Sequence, residues 1–337
     1  MEDQSNIMTA VEKRKPEYRS PLWGMIRGHL NEITLLVGLL GVSAFITINN
    51  DVFLSSANLI NVLRSAAFLG IVTWGMTLVI IAGEIDVSVG PAVAFAAVML
   101  GSLVNHQGLP LEVAAVIVVI TMTIVGYIGG FIRAKFNVPS FVTTLALWSI
   151  YDGLKQVISN NIPIPVESDT FQVWGRGDLL GIPYVVIIAA ILFLIFRYIS
   201  RQTVFGRAVY AVGGNAKAAY AAGINVLRTR AMVFAITGGL AGLTGLLHVS
   251  RLGTATGQVA TGLEFSSIAA VVIGGSSLSG GRGSLIGSLI GVLFISVIAN
   301  GLVLMGVNSQ AQNVVRGALI LIAVLVNVVF KQESKDI

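Results

Sequence analysis

The feature that most restricts this chain is a succession of apolar runs, most of them close to the length that spans a bilayer. About 20 apolar residues in helical form cross the hydrocarbon core. A backbone in lipid must satisfy its own hydrogen bonds, so each run predicts a helix. Ten runs stand out, at roughly 32–48, 65–82, 90–105, 111–131, 139–158, 182–199, 230–249, 264–279, 284–305 and 310–330. The third, fifth and eighth are short or polar and predict broken, tilted or re-entrant elements. Composition agrees: 11% of the 337 residues are charged, against about 25% in soluble domains. The expected fold class is therefore an all-α polytopic membrane protein of about ten transmembrane helices.

Charge tests the count. Basic residues cluster at Lys13, Arg14, Lys15, Arg19 and Arg27, at Arg133 and Lys135, and at Lys331 and Lys335. The stretch 197–230 adds Arg197, Arg201, Arg207, Lys217, Arg228 and Arg230, with no acidic residue. The positive-inside rule assigns all four groups to the cytosol. Ten spans with a cytosolic N-terminus do the same, so both termini are expected there. The opposite loops hold only Arg64, Arg176 and Arg251. The domain plan is a cytosolic tail at 1–31, a transmembrane domain at 32–330 containing a cytosolic loop at 199–229, and a second tail at 331–337. Residues Pro21 to Leu30, with Trp23, read equally well as an interfacial helix or as part of a disordered tail.

Several functions are excluded by residue type. With no cysteine, disulfides, thiolate catalysis and Cys-based metal sites are impossible. His29, His106 and His248 lack ligand-spaced partners, so no metal is expected. The net charge of +5 is explained by the loops that orient the spans, and no nucleic-acid partner is expected. The N-terminus has no short apolar core followed by a cleavage site.

Residues 278–282, Leu-Ser-Gly-Gly-Arg, resemble the signature motif of ABC-type ATPases. No P-loop accompanies them: the chain has no Gly-Lys pair, and no apolar strand ends in Asp-Glu. The segment reads as a turn between two spans, with Arg282 as a positive-inside anchor near phospholipid headgroups. The stretch has an echo. Residues 79–90 and 270–281 align with Gly83 on Gly274, Ser88 on Ser279 and Gly90 on Gly281, an offset of 191. That offset carries the first three spans onto the seventh, eighth and ninth, and predicts a parallel internal repeat. In the first copy, Glu84 and Asp86 lie close to the membrane, where acids are costly and often functional. Asp86 or Ser88 can alternatively cap the next helix. Gly283, Gly287 and Gly291, Gly126 and Gly130, and Gly238 and Gly242 form GxxxG patterns that predict close helix packing, in the bundle or at a dimer face.

The basic loop "SRQTVFGRAVYAVGGNAKAAYAAGINVLRTR" is too long for a minimal turn. Asn215 can N-cap a short helix that Gly223 closes, and Gly213–Gly214 allow a sharp entry. "TVFGRAVYAVGGNAKAAYAAGINV", "FAITGGLAGLTGLL", "GEIDVSVG" and "GLEFSSIAAVVIGGSSLSGGRGSLIGSLIGVL" resemble the permease subunit of ribose-type, binding-protein-dependent ABC sugar importers, over about residues 35–330. Members of that family often have Gly-Gly-Ile-Asp-Leu-Ser where this chain has Gly83-Glu84-Ile85-Asp86-Val87-Ser88.

The resemblance implies a pore subunit in a bacterial inner membrane that imports a monosaccharide or related polyol by alternating access. It implies cytosolic ATPase subunits, an outer sugar-binding protein, and a second permease, identical or related. ATP and magnesium would sit on the ATPase, leaving this chain without cofactor or catalytic residues. Gly213, Gly214, Asn215, Ala216, Lys217, Ala219 and Gly223 match the coupling helix. Candidate pathway residues are the polar and amphipathic groups within spans: Trp74, Thr77, Thr143, Thr144, Trp148, Tyr151 and Asp152. Each can equally serve helix packing or interfacial anchoring. The rival reading is an ion-driven secondary transporter coupled through Glu84 and Asp86. A membrane enzyme fits less well, because no polar cluster at one depth is visible.

Overall fold

The computed structural model describes residues 21–308, 310–318, 321 and 325, with side chains from Glu32 onward. Of the expected tails at 1–31 and 331–337, residues 1–20 and 331–337 lie outside the described residues, as do 10 of the 21 residues of the tenth run. Twelve helices are assigned bounds: α1 Pro21–Asn49, α2 Ser56–Ile81, α3 Val89–Asn105, α4 Leu111–Phe136, α5 Ser140–Ser159, α6 Asp169–Arg176, α7 Tyr184–Gln202, α8 Val204–Gly214, α9 Ala216–Ala221, α10 Val226–Leu252, α11 Leu263–Ile273 and α12 Leu285–Leu304. Residues 310–318 are also helical. Helix α1 is continuous from Pro21, so residues 21–30 are helical and run directly into the apolar stretch that begins at Glu32.

Among the described residues six helices, α1, α2, α4, α7, α10 and α12, are long and apolar enough to cross a membrane. Together they make the chain a helical multi-pass membrane protein. The three runs expected to be irregular are the ones that depart from this standard. Helices α3 and α11 are apolar but short. Helix α5 has 20 residues but is not counted among the six; its run includes Asp152, Lys155 and Gln156. Ends are set by local chemistry. Pro110, Pro139 and Pro183 precede α4, α5 and α7, where a missing N–H costs nothing. Asn137, Asn160 and Gly253 close α4, α5 and α10 in the left-handed conformation.

Glycine lets the helices approach closely. Gly126 and Gly130 of α4 lie against Phe234 and Ala231 of α10, while Gly238 and Gly242 of α10 lie against Met122 and Val119. On the other side Gly287 and Gly291 of α12 abut the carbonyls of Gly274 and Ala270, at and within the end of α11. These GxxxG patterns are therefore consumed inside the chain, and do not form a dimer face. Helix α2 runs through the centre: every residue from Ala66 to Ile81 is buried. Hydroxyl pairs cross-link it, with Thr73 to Ser267 of α11 at 3.1 Å and Thr77 to Ser288 of α12 at 2.9 Å.

Four short strands cap the end opposite the basic loop. β1 (Ile164–Pro165) pairs antiparallel with β4 (Thr254–Ala255), and β2 (Asp178–Leu179) with β3 (Ile182–Pro183). Helix α6 is held there by the Arg176 Nε–H to Arg251 carbonyl bond, 2.7 Å, and by Ser250 donating to the Phe171 carbonyl.

Candidate functional site

The basic loop folds into α8 and α9. The Asn215 side chain accepts the N–H groups of Lys217 and Ala218, both at 3.0 Å, so the two donors at the start of α9 are capped. At the other end Gly223 has φ +83°. Its N–H bonds the Tyr220 carbonyl and the Ile224 N–H bonds that of Ala219, the pattern that left-handed glycine permits. Lys217, Ala218, Tyr220 and Ala221 are exposed, Ala216 is half-buried, and Ala219 is buried. The first four are thus the surface a partner can touch.

Gly213 and Gly214, expected to allow a sharp entry, form the last turn of α8, and smallness is what Gly213 contributes. A methyl group on Gly213 would run into the Ile81 carbonyl. The Gly281 N–H donates to that same carbonyl at 2.8 Å. Gly280, at φ +81°, has Gly83 and Gly213 within reach of any added side chain, the nearest atom at 2.7 Å. Gly83, Gly213, Gly280 and Gly281 are therefore one junction, at which the ends of α2 and α8 meet the 274–284 turn. The signature-like pentapeptide is the centre of that turn. Its loop closes through Ser277 N–H to Arg282 carbonyl, 3.0 Å, and Gly280 N–H to Ser277 carbonyl, 2.9 Å. Arg282 borders a surface cavity of about 500 Å³ with Arg201, Arg207 and Tyr210.

The two echoing turns close alike. Gly83 N–H bonds Ile80 and Glu84 N–H bonds Val79; Gly275 N–H bonds Val272 and Ser276 N–H bonds Val271. Gly83 and Gly275 are the left-handed residues, so Gly83 matches Gly275, one residue from the expected Gly274. Beyond the turns the two segments differ: seven residues separate α2 from α3, and eleven separate α11 from α12.

Glu84 is 1% exposed. Its carboxylate meets Arg133 Nε at 2.6 Å and Arg230 Nε at 2.7 Å, which ties the α2–α3 turn to the end of α4 and the start of α10. Asp86 accepts the Ser88 N–H at 2.9 Å and the Ser88 hydroxyl at 2.6 Å. Ser88 itself makes no side-chain cap of α3. Residues 84–88 run without helix, and α5 satisfies them: Ser140 Oγ accepts the Ile85 N–H, while Thr144 Oγ1 accepts that of Val87 and donates to the Ile85 carbonyl.

The candidate pathway residues separate into groups. Trp74 and Thr77 are bundle ties: Trp74 Nε1–H donates to the Ala189 carbonyl of α7 at 3.1 Å, and Thr77 pairs with Ser288. Thr143 turns back on the Pro139 carbonyl. Thr144, Trp148, Tyr151 and Lys155 follow helical spacing on one face of α5. Along it Trp148 donates to the Glu264 carboxylate, and Tyr151 stacks on Phe95 with ring centres 5.6 Å apart. Asp152 is held by Lys155 at 2.8 Å and Gln156 at 2.7 Å. Glu264, buried in the first turn of α11, was not anticipated. Its signal was available: it is the one acid in an apolar run that continues "FSSIAAVVI". Among the described residues no cluster of three or more potential metal ligands occurs.

Comparison with known proteins joins this helical framework to a transport class. Residues 58–324 match the family described as "Branched-chain amino acid transport system / permease component". The chain belongs to that family of transport permeases. It is 50% identical to the "Probable ABC transporter permease protein YphD" of Escherichia coli K12, covering 97% of this chain and 98% of that one. It is 39% identical to the "Ribose import permease protein RbsC" of Bacillus subtilis, covering 89% and 94%. The "L-arabinose ABC transporter permease protein AraH" of Azospirillum brasilense is 32% identical, with 91% and 89% covered. No solved structure matches.

Proposed function

We propose that this chain is the transmembrane pore subunit of an ATP-driven ABC importer that brings a monosaccharide or related polyol into the cytoplasm by alternating access. The relatives named for ribose and arabinose import support the cargo class. The observation that carries the coupling is the capped helix α9, presented on the basic end and rooted in the Gly83–Gly213–Gly280 junction. A push on α9 from an ATPase subunit would reach both re-entrant turns through glycine contacts that leave no slack. The basic end is the cytosolic side, the termini lie there, and the membrane is the bacterial inner membrane.

The remaining architecture follows this reading. Residues 32–330 form ten spans with a parallel repeat, the 199–229 loop couples to the ATPase, and 1–31 and 331–337 are tails. Two permease copies, or this chain and a related one, enclose the pathway. A sugar-binding protein supplies cargo at the outer face, and lipid phosphates meet Arg282. ATP and magnesium belong to the ATPase, and this chain holds no catalytic site. The Thr144–Trp148–Tyr151 face of α5 remains a candidate for the pathway together with Trp74 and Thr77, although hydrogen bonds within the bundle engage Thr144, Trp148, Trp74 and Thr77. Ion coupling through Glu84 and Asp86 is disfavoured, since two arginines and Ser88 occupy those acids.

Co-purification with a partner ABC ATPase subunit tests the coupling surface. Tyr220 is 75% exposed, so Tyr220→Asp should leave the chain folded yet release the ATPase. Retention of ATPase and uptake at wild-type levels would move the coupling surface away from α9.

A further inference from the structure

Helices α2 and α12 count among the apolar spans, yet each carries a polar stripe near the end away from the basic loop. On α2 the stripe is Asn58, Asn61 and Ser65; on α12 it is Ser296 and Asn300, at helical spacings of three to four residues. The stripes line a cavity of about 530 Å³, with Gln312 also at its wall. That volume lies within the range of about 300–1,000 Å³ typical of small-molecule sites.

The stripes divide into a fixed and an open part. Asn58 and Asn300 bond reciprocally, at 3.0 and 2.8 Å, and Asn58 also donates to the Phe53 carbonyl at 2.9 Å. This pair holds the two helices at a set spacing. The side chains of Asn61, Ser65 and Ser296 have no hydrogen-bond partner among the described residues. Asn61 and Ser65 are exposed and Ser296 is 5% exposed. Unpartnered amides and hydroxyls facing lipid would be costly. Their face must therefore meet water, a ligand or another chain. No charged residue lines the cavity. Asn61 offers both donors and an acceptor, and each serine offers one donor and two lone pairs. That set matches a neutral polyhydroxylated molecule and gives no counter-charge to an ion.

We propose that this cavity is an outer subsite for an uncharged sugar or polyol, resting on the importer reading above. Hydroxyls of the cargo bond Asn61, Ser65 and Ser296, while the Asn58–Asn300 pair keeps α2 and α12 at the distance the ring requires. From Asn58 to Ser65 the stripe descends about 10 Å along α2. The site thus receives cargo near the outer surface, before it reaches the α5 face.

The cysteine-free sequence provides a clean test. Asn61→Cys and Ser65→Cys are placed singly in the full chain, assembled with its ATPase and binding-protein partners in lipid vesicles. Labelling by a membrane-impermeant maleimide is timed with and without D-ribose, L-arabinose or D-fructose. Leu40→Cys, on an exposed apolar face of α1, is the lipid-facing control. Both cavity positions should label and the control should not. One of the sugars should slow labelling by a factor of about 1 + [L]/Kd, or about fourfold at three times Kd. Labelling that no sugar slows, in vesicles that still take up sugar with ATP, would overturn the subsite and leave the importer reading intact. Spontaneous disulfide linking of two copies through these cysteines, with no sugar protection, would reassign the face to an interface between permeases. Vesicles without ATP-dependent uptake of any sugar, whose cavity cysteines no sugar protects, would overturn both.

Discussion

The two ends of α2 are built in opposite ways. From Ala66 to Ile81 every residue is buried, and the helix ends in a junction where glycines of three segments touch and Glu84 is gripped by two arginines. From Ser56 to Ser65 only Asn58 and Val62 are buried, and amides and hydroxyls face a cavity. Close packing without spare volume transmits displacement. Unpartnered polar groups with space around them accept a ligand. On the proposed reading, one helix would carry a joint at its cytosolic end and a receiving surface at its outer end, an arrangement that suits alternating access.

This contrast predicts graded sensitivity to substitution. The largest loss of stability should come from Glu84→Ala, which leaves Arg133 and Arg230 facing each other without their anion, at a cost of about 3 kcal/mol. The thermal midpoint of the purified chain in detergent reads this out. Replacing all three residues with methionine should recover most of the loss if pairing is the cause. Gly213→Val should cost about 2–3 kcal/mol by forcing α8 away from Ile81. It should also lower the ATPase stimulation that accompanies transport. If it lowers neither, the junction is not tightly packed. Asn215→Ala should cost about 1 kcal/mol through loss of two capping bonds, seen as faster amide exchange in residues 216–221. Asn61→Ala, at the outer end, should shift stability by less than about 0.5 kcal/mol. A large shift there would mean that both ends of α2 are structural.

Much of this was legible beforehand. Nine of the ten runs are helical over nearly all of their described parts, while the run at 264–279 is helical only to Ile273; the Asn215 cap and the Gly223 stop follow from local rules that need no tertiary information. GxxxG spacing correctly announced close approach. Long-range partners were not legible. Nothing near Glu84 in the chain indicates Arg133 or Arg230, which are 49 and 146 residues away. Gly213 and Gly214 read as a sharp entry because a glycine's need for space, which Gly213 has, and its need for conformational freedom look alike in sequence. The sequence alignment set Gly83 on Gly274, whereas the left-handed residues are Gly83 and Gly275; Gly274 and Gly275 are adjacent, and only φ tells which one turns. Trp74 and Thr77 looked like pathway residues because polarity within a span does not reveal whether the partner is cargo or another helix.

The central claim is that ATP hydrolysis on a partner chain drives sugar through this subunit. Sugar uptake should be measured in vesicles holding this chain, its ATPase and its binding protein, with no ion gradient. The account predicts uptake that requires all three components and ATP, and that Tyr220→Asp abolishes. Uptake by this chain alone, driven by a proton or sodium gradient and indifferent to ATP, would contradict it.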